Sequence, residues 1–254
     1  MALNIAVNAA VESDATVLIF SLEMDAQALG QRLLSSRAKV NSEEIRTGKA
    51  IRDKEKTARL HSAVEELGKA KIFIDSTSGI SISEMKNKCR RLKSTKGLDL
   101  IVIDYLQLMD FGVTGKASAR PENRQQEIST LSRMIKQLAR EMDCPVIILS
   151  QLSRKVEDRG GAPKLSDLRE SGAIEQDADV VMFIHKRGEK PKGFGKKADD
   201  EDEEQMSGPD PETTREILIA KNRMGETGPI TLRWIGEYTM FDTYNPEDDI
   251  NQYI

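Results

Sequence analysis

The chain has 254 residues, of which 38% are hydrophobic, 31% charged and only 4% aromatic, and it carries a net charge of −4. That length and balance suit one large α/β domain or two small ones around an aliphatic core. They exclude a uniformly basic surface, although net charge averages over faces and leaves room for a local nucleic-acid channel.

The first eleven residues, MALNIAVNAAV, lack a basic leading segment and a clear cleavage site, so they read as a buried helix and not a signal peptide. A strand follows at Thr16–Ser21, then a helix from an Asp25 cap to about Lys39 and another from Asp53 to Gly68. Lys71–Asp75 is the second strand. Ser81 and Glu84 form a capping box that opens a helix to Lys93, with Ile82, Met85, Cys89 and Leu92 along one face. The third strand is Asp99–Asp104. A long amphipathic helix, Glu122–Met142, carries Ile128, Leu131, Ile135, Leu138 and Met142 at helical spacing. Strands at Pro145–Ser150 and Asp179–His185 complete the set. These strands are continuous apolar runs, as expected when both faces of a parallel sheet are covered by crossover helices.

Lys190–Thr214 holds basic residues, then acids from Asp199 to Glu204, then Pro and Gly, and is expected to be a mobile charged loop. After Arg215 the texture changes. Glu216–Lys221, Ile230–Ile235 and Tyr238–Phe241 are predicted as antiparallel strands that extend the sheet at one edge. Cys89 and Cys144 lack metal-ligand spacing and are expected to be buried reduced thiols of a cytoplasmic protein. No apolar run approaches the ~18 residues of a membrane span, so no membrane partner is expected.

Five segments carry chemistry. LIVIDYLQLM (Leu100–Met109) ends a strand on Asp104, the arrangement of a carboxylate that holds the water shell of Mg²⁺ beside a nucleotide. FSLEM (Phe20–Met24) puts Glu23 just after another strand. In an open α/β sheet, ligands bind outside the carboxyl ends of the strands, so Glu23 and Asp104 share that edge if their strands are parallel neighbours. One carboxylate on a metal and one polarising a water is the minimum for nucleotide hydrolysis. Gln151, in LSQLSR, offers a neutral amide that can donate and accept at a phosphate. DLRESGAIEQDAD (Asp167–Asp179) combines Arg169 with Ser and Gly that let backbone N–H groups approach phosphates. AKNRMGETG (Ala220–Gly228) sets Lys221 and Arg223 on a hairpin-like turn, a pair of cations suited to transferring phosphoryl charge. Each segment by itself also fits a structural role: a buried strand end, a helix-start acid, a loop amide, a charged turn, an exposed basic turn.

In this order, the five segments resemble the DnaB-type replicative DNA helicases, and the resemblance covers essentially the whole chain outside Lys190–Thr214. It implies a RecA-like α/β fold: a mostly parallel twisted sheet flanked by helices, with antiparallel strands near the C-terminus, making residues 1–254 a single motor domain. It also implies ATP and Mg²⁺ as cofactors, single-stranded DNA threading a homo-hexameric ring, 5′ to 3′ translocation, and a primase and a helicase loader as partners. By the same resemblance Glu23 activates the hydrolytic water, Asp104 holds Mg²⁺ through water, and Gln151 senses the γ-phosphate. Lys221 and Arg223 reach the neighbouring subunit's site, while Arg169, Glu170 and Gly172 match a loop lining the DNA channel.

The chain departs from the family at one point. Family members carry a Gly-rich phosphate loop ending in Gly-Lys-Thr or Gly-Lys-Ser just before a helix like ALNIAVNAA. Here no G-x-x-x-x-G-K-[ST] occurs, so the first strand and phosphate loop are expected to be missing and the chain to be an incomplete motor. Two alternatives stay open: a non-catalytic fragment that binds single-stranded DNA or joins a ring, and a related RecA-like ATPase of recombination or signalling.

Overall fold

A computed structural model describes residues 1–105, 121–153, 156, 159, 161–168, 172–186 and 213–246. These fall into two compact units. One is drawn from Met1–Gln151, Glu170–Asp177 and Gly236–Met240, the other from Leu152–Arg169, Ala178–Ile235 and Phe241–Ile254.

The first unit is a parallel sheet of β1 (Val17–Ser21), β2 (Ile72–Asp75), β3 (Leu100–Asp104) and β4 (Val146–Ile148), in the order β2-β1-β3-β4. Successive residues of a strand face opposite ways, so a continuous apolar strand feeds two cores. Leu18, Phe20, Ile101 and Ile103 pack with α5 (Ile82–Lys96) and α6 (Pro121–Met142) on one face. Val17, Ile19, Leu100 and Val102 pack on the other with α1 (Ala2–Glu12) and Leu29 of α2 (Ala26–Ala38). The helix faces read from spacing supply the first core: Met85 and Cys89 from α5, and Ile128, Leu131, Ile135, Leu138 and Met142 from α6. The capping box of Ser81 and Glu84 is present, with Ser81 Oγ accepting from the Glu84 N–H at 3.3 Å. Between α2 and β2 lie α3 (Ser42–Arg46), a 3-10 turn (Lys49–Arg52) and α4 (Lys54–Lys69). Asn41 caps the five-residue α3, which is too short to show an apolar period. A last short helix of this unit, α7 (Gly172–Asp177), packs against α6, where Ser132 Oγ donates to Asp177 at 2.7 Å.

The second unit is an antiparallel sheet of β5 (Val180–His185), β6 (Thr214–Asn222), β7 (Gly228–Ile235) and β8 (Met240–Thr243). The expected parallel sheet, flanking helices and late antiparallel strands are all found. The antiparallel strands do not extend the parallel sheet, however, and the Val180–His185 strand belongs with them. Its burial alternates: Val181 and Phe183 are buried, while Val180, Met182 and Ile184 are 46%, 43% and 45% exposed. An unbroken apolar run looks the same in sequence whether one face or both are covered. The loop expected at 190–214 lies outside the described residues up to 212, and Thr214 opens β6 as a buried residue. Among the described residues, no helix is long and apolar enough to cross a membrane.

Candidate active site

The carboxyl edge of the parallel sheet gathers three of the residues singled out from sequence. β1 and β3 are parallel neighbours with Ser21 opposite Asp104, so Glu23 and Asp104 emerge at adjacent strand ends. The Leu22 N–H donates to the Asp104 carbonyl at 2.7 Å, tying the segment carrying Glu23 to the end of β3. The buried Ser21 shapes the turn: its Oγ donates to the Met24 carbonyl at 2.7 Å and accepts from the Met24 N–H at 3.3 Å. Asp25 then caps α2 by accepting from the Ala28 N–H at 2.7 Å. Glu23 is thus exposed on a short turn pinned at both ends. On the other side of β3, the Leu149 N–H donates to the Ile103 carbonyl at 3.0 Å, and Gln151 follows two residues later, exposed. The Asp104–Tyr105 peptide is cis.

Burial holds the Asp104 carboxyl above the usual carboxylate range, and the nearby Glu23 carboxylate pushes it the same way, while Arg32 opposes both. A half-buried carboxyl whose ionisation is opposed by a neighbouring carboxylate is what a divalent cation relieves. Sequence reading missed Arg32, exposed on the second turn of α2, and Ser21. The cap at Asp25 was a signal that α2 starts at this edge, but only strand pairing shows that the helix runs past Asp104. At β2, Asp75 is engaged by Lys88 and the Thr77 N–H and stands apart from this pair.

Among the described residues, no cluster of three or more His, Cys, Asp or Glu could hold a metal by itself. Mg²⁺ commonly takes one or two carboxylates and completes its shell with water and phosphate oxygens, so the Asp104 edge fits Mg²⁺ arriving with a nucleotide. The donor set for the phosphates is another matter, since the chain has no Gly-Lys-Thr or Gly-Lys-Ser loop.

Lys221, on β6 opposite Val181, and Arg223, in the turn after β6, belong to the second unit. Gly172 is the first residue of α7 in the first unit. Arg169 and Glu170 lie outside the described residues.

The model of the DnaB-like helicase C-terminal domain matches residues 1–243. The chain is 44% identical over 241 residues to the replicative DNA helicase DnaB of Geobacillus stearothermophilus, covering 94% of this chain and 48% of that protein. It is 43% identical to the replicative DNA helicase DnaC of Bacillus subtilis strain 168, with the same coverage. The chain therefore spans about half the length of these relatives. Among solved structures, an ATPase domain superposes with a TM-score of 0.79 at 35% identity, covering 96% of this chain and 79% of that one. A DnaB-like replicative helicase, solved in a study of its interactions with primase, gives 0.79 at 34% identity, covering 96% and 54%. On this match of sequence and fold, the chain belongs to the DnaB-like helicase C-terminal domain family.

Proposed function

We propose that this chain is the motor half of a replicative DNA helicase, which hydrolyses ATP to move along single-stranded DNA and separate a duplex. The observation that carries this reading is the carboxylate pair at the edge of the parallel sheet, Glu23 beside a half-buried Asp104 with a raised pKa. Asp104 would hold Mg²⁺ through its water shell, and the ion would screen phosphate charge during transfer. Glu23, exposed on its pinned turn, orients and deprotonates the attacking water. Gln151, one strand further along, reads the γ-phosphate through its amide. This sequence carries no Gly-Lys-Thr or Gly-Lys-Ser loop to hold the phosphates.

Lys221 and Arg223 act on the nucleotide of a neighbouring copy, which makes a homo-hexameric ring the working form. Arg169, Glu170 and Gly172 line the path of single-stranded DNA through backbone and phosphate contacts, so binding there is salt-dependent and weakly sequence-selective. Both units serve one motor domain. The motor works in the cytoplasm and 5′ to 3′, with a primase and a helicase loader as partners. The interaction with primase named for a structural neighbour supports the first of these.

The test is Mg²⁺-ATP hydrolysis, with and without single-stranded DNA. It is run on this chain and on the same chain carrying a family strand and Gly-Lys-Thr loop ahead of Met1. Turnover only in the loop-bearing protein, faster with DNA, is the expected result. In that protein Glu23→Gln lowers hydrolysis by roughly 10²–10⁴-fold while ATP binding stays largely intact. Equal loss of binding and hydrolysis would remove Glu23 from the chemistry. Turnover by the present chain unaided would mean that other residues hold the phosphates.

A further inference from the structure

The DLRESGAIEQDAD segment ends in Asp179. It precedes β5, and β5 pairs with β6 so that Val180 lies opposite Asn222. Asp179 and Arg223 therefore flank the end of the same ladder. Two contacts join them: the Arg223 N–H donates to the Asp179 carbonyl at 2.9 Å, and Arg223 Nη1 donates to Asp179 Oδ1 at 3.2 Å. Backbone and side chain of the arginine are both held by one residue.

The turn that carries Arg223 is itself closed. Asn222 Oδ1 accepts from the Met224 N–H at 3.2 Å, and Asn222 Nδ2 donates to the Glu226 carbonyl at 3.2 Å. A Cβ on Gly225 would come within 2.8 Å of Asn222 Nδ2, so the turn closes around a residue with no side chain. The tip is thus built to a defined shape, and the Asp179 carboxylate accepts from the long Arg223 side chain leaving it.

We propose that Asp179 is a positioning residue for Arg223, holding its guanidinium ready for phosphate in the adjacent subunit. A guanidinium has five N–H donors in a fixed fork, so it can serve a carboxylate and a phosphate at once. Pre-orienting that fork lowers the ordering cost at the moment of transfer, because an unrestrained arginine loses considerable rotamer freedom on engaging. The ion pair is half-exposed on both sides, at 48% and 55%, so it contributes little to folding and its value lies in orientation. The inference rests on the reading of Arg223 as a cation acting on a neighbour's nucleotide.

The experiment uses the loop-bearing protein in steady-state ATP hydrolysis. Arg223→Ala should lower kcat by roughly 10³-fold. Asp179→Asn, which keeps an acceptor but removes the charge, should lower kcat about tenfold with KM for ATP within about twofold. Asp179→Glu should recover part of the loss, and Asp179→Asn added to Arg223→Ala should have no further effect. On the chain as it stands, Asp179→Asn should leave the thermal midpoint within about 2 °C, separating positioning from folding. Full turnover in Arg223→Ala overturns the finger reading and this inference together. Loss in Arg223→Ala but not in Asp179→Asn, or additive losses in the double variant, overturns the positioning role alone.

Discussion

The two sheets of this protein are made from similar apolar strands but are stabilised differently. β1 and β3 bury every residue of their apolar runs, splitting them between two helix-covered faces. In the second unit, Val181, Phe183 and Ile217 are buried while Val180, Met182, Ile184 and Ile230 remain nearly half exposed. The chemistry proposed for each unit follows that division. A carboxyl held above its usual range, as Asp104 is, needs a rigid, partly dry edge, which the parallel sheet provides. A cation offered to another copy suits a hairpin tip, and the turn after β6 carries the exposed Arg223 with little core behind it, while Lys221 lies within β6.

The sharpest way to break this comparison is to open the first core. Phe20→Ala, at a fully buried site, should cost about 3–5 kcal/mol in urea denaturation; a loss under about 1 kcal/mol would mean that core is no tighter than the second. Next comes the main buried charge of the second unit. Asp167 accepts from Arg159 Nη1 at 2.9 Å, Arg159 Nη2 at 2.7 Å and the Lys164 N–H at 2.8 Å, and the Arg159 guanidinium holds its carboxyl below the usual range. The folded pKa is depressed, so the stabilisation is present above the ordinary Asp value of about 3.9 and is lost as pH falls through the folded value. Asp167→Asn should lower the thermal midpoint near neutrality and flatten its fall in acid. An unchanged acid profile would show that the pair contributes nothing. Smaller still, Ser81→Ala should cost about 1 kcal/mol by removing one side of the capping box. Least of all, Met182→Ser should stay within about 0.5 kcal/mol if that face is solvated as it stands; a larger loss would show that something covers it.

Much of the first unit was legible in sequence because its signals are local. Hydrophobic spacing at Ile128, Leu131, Ile135, Leu138 and Met142 set the buried stripe of α6, and cap chemistry at Asp25 and Ser81 marked two helix starts within a residue. The acidic strand ends of the candidate site were visible for the same reason. Arg32 was not, since an arginine on a helix carries no mark of which strand end it passes. Nor was the tie between Asp179 and Arg223, 44 residues apart and joined only by the β5–β6 register.

Sequence by itself determined the longer helices and most strands, and which residues stand at strand ends, because period, caps and turn chemistry act over a few residues; the short α3 and α7 left no such signal. Tertiary structure alone decided which strands are neighbours: that β1 lies beside β3, bringing Glu23 to Asp104, and that β5 pairs with β6 in a sheet of its own. The physical reason is that strand pairing is made by backbone groups every residue shares, so the choice of partner falls to the packing of whole faces.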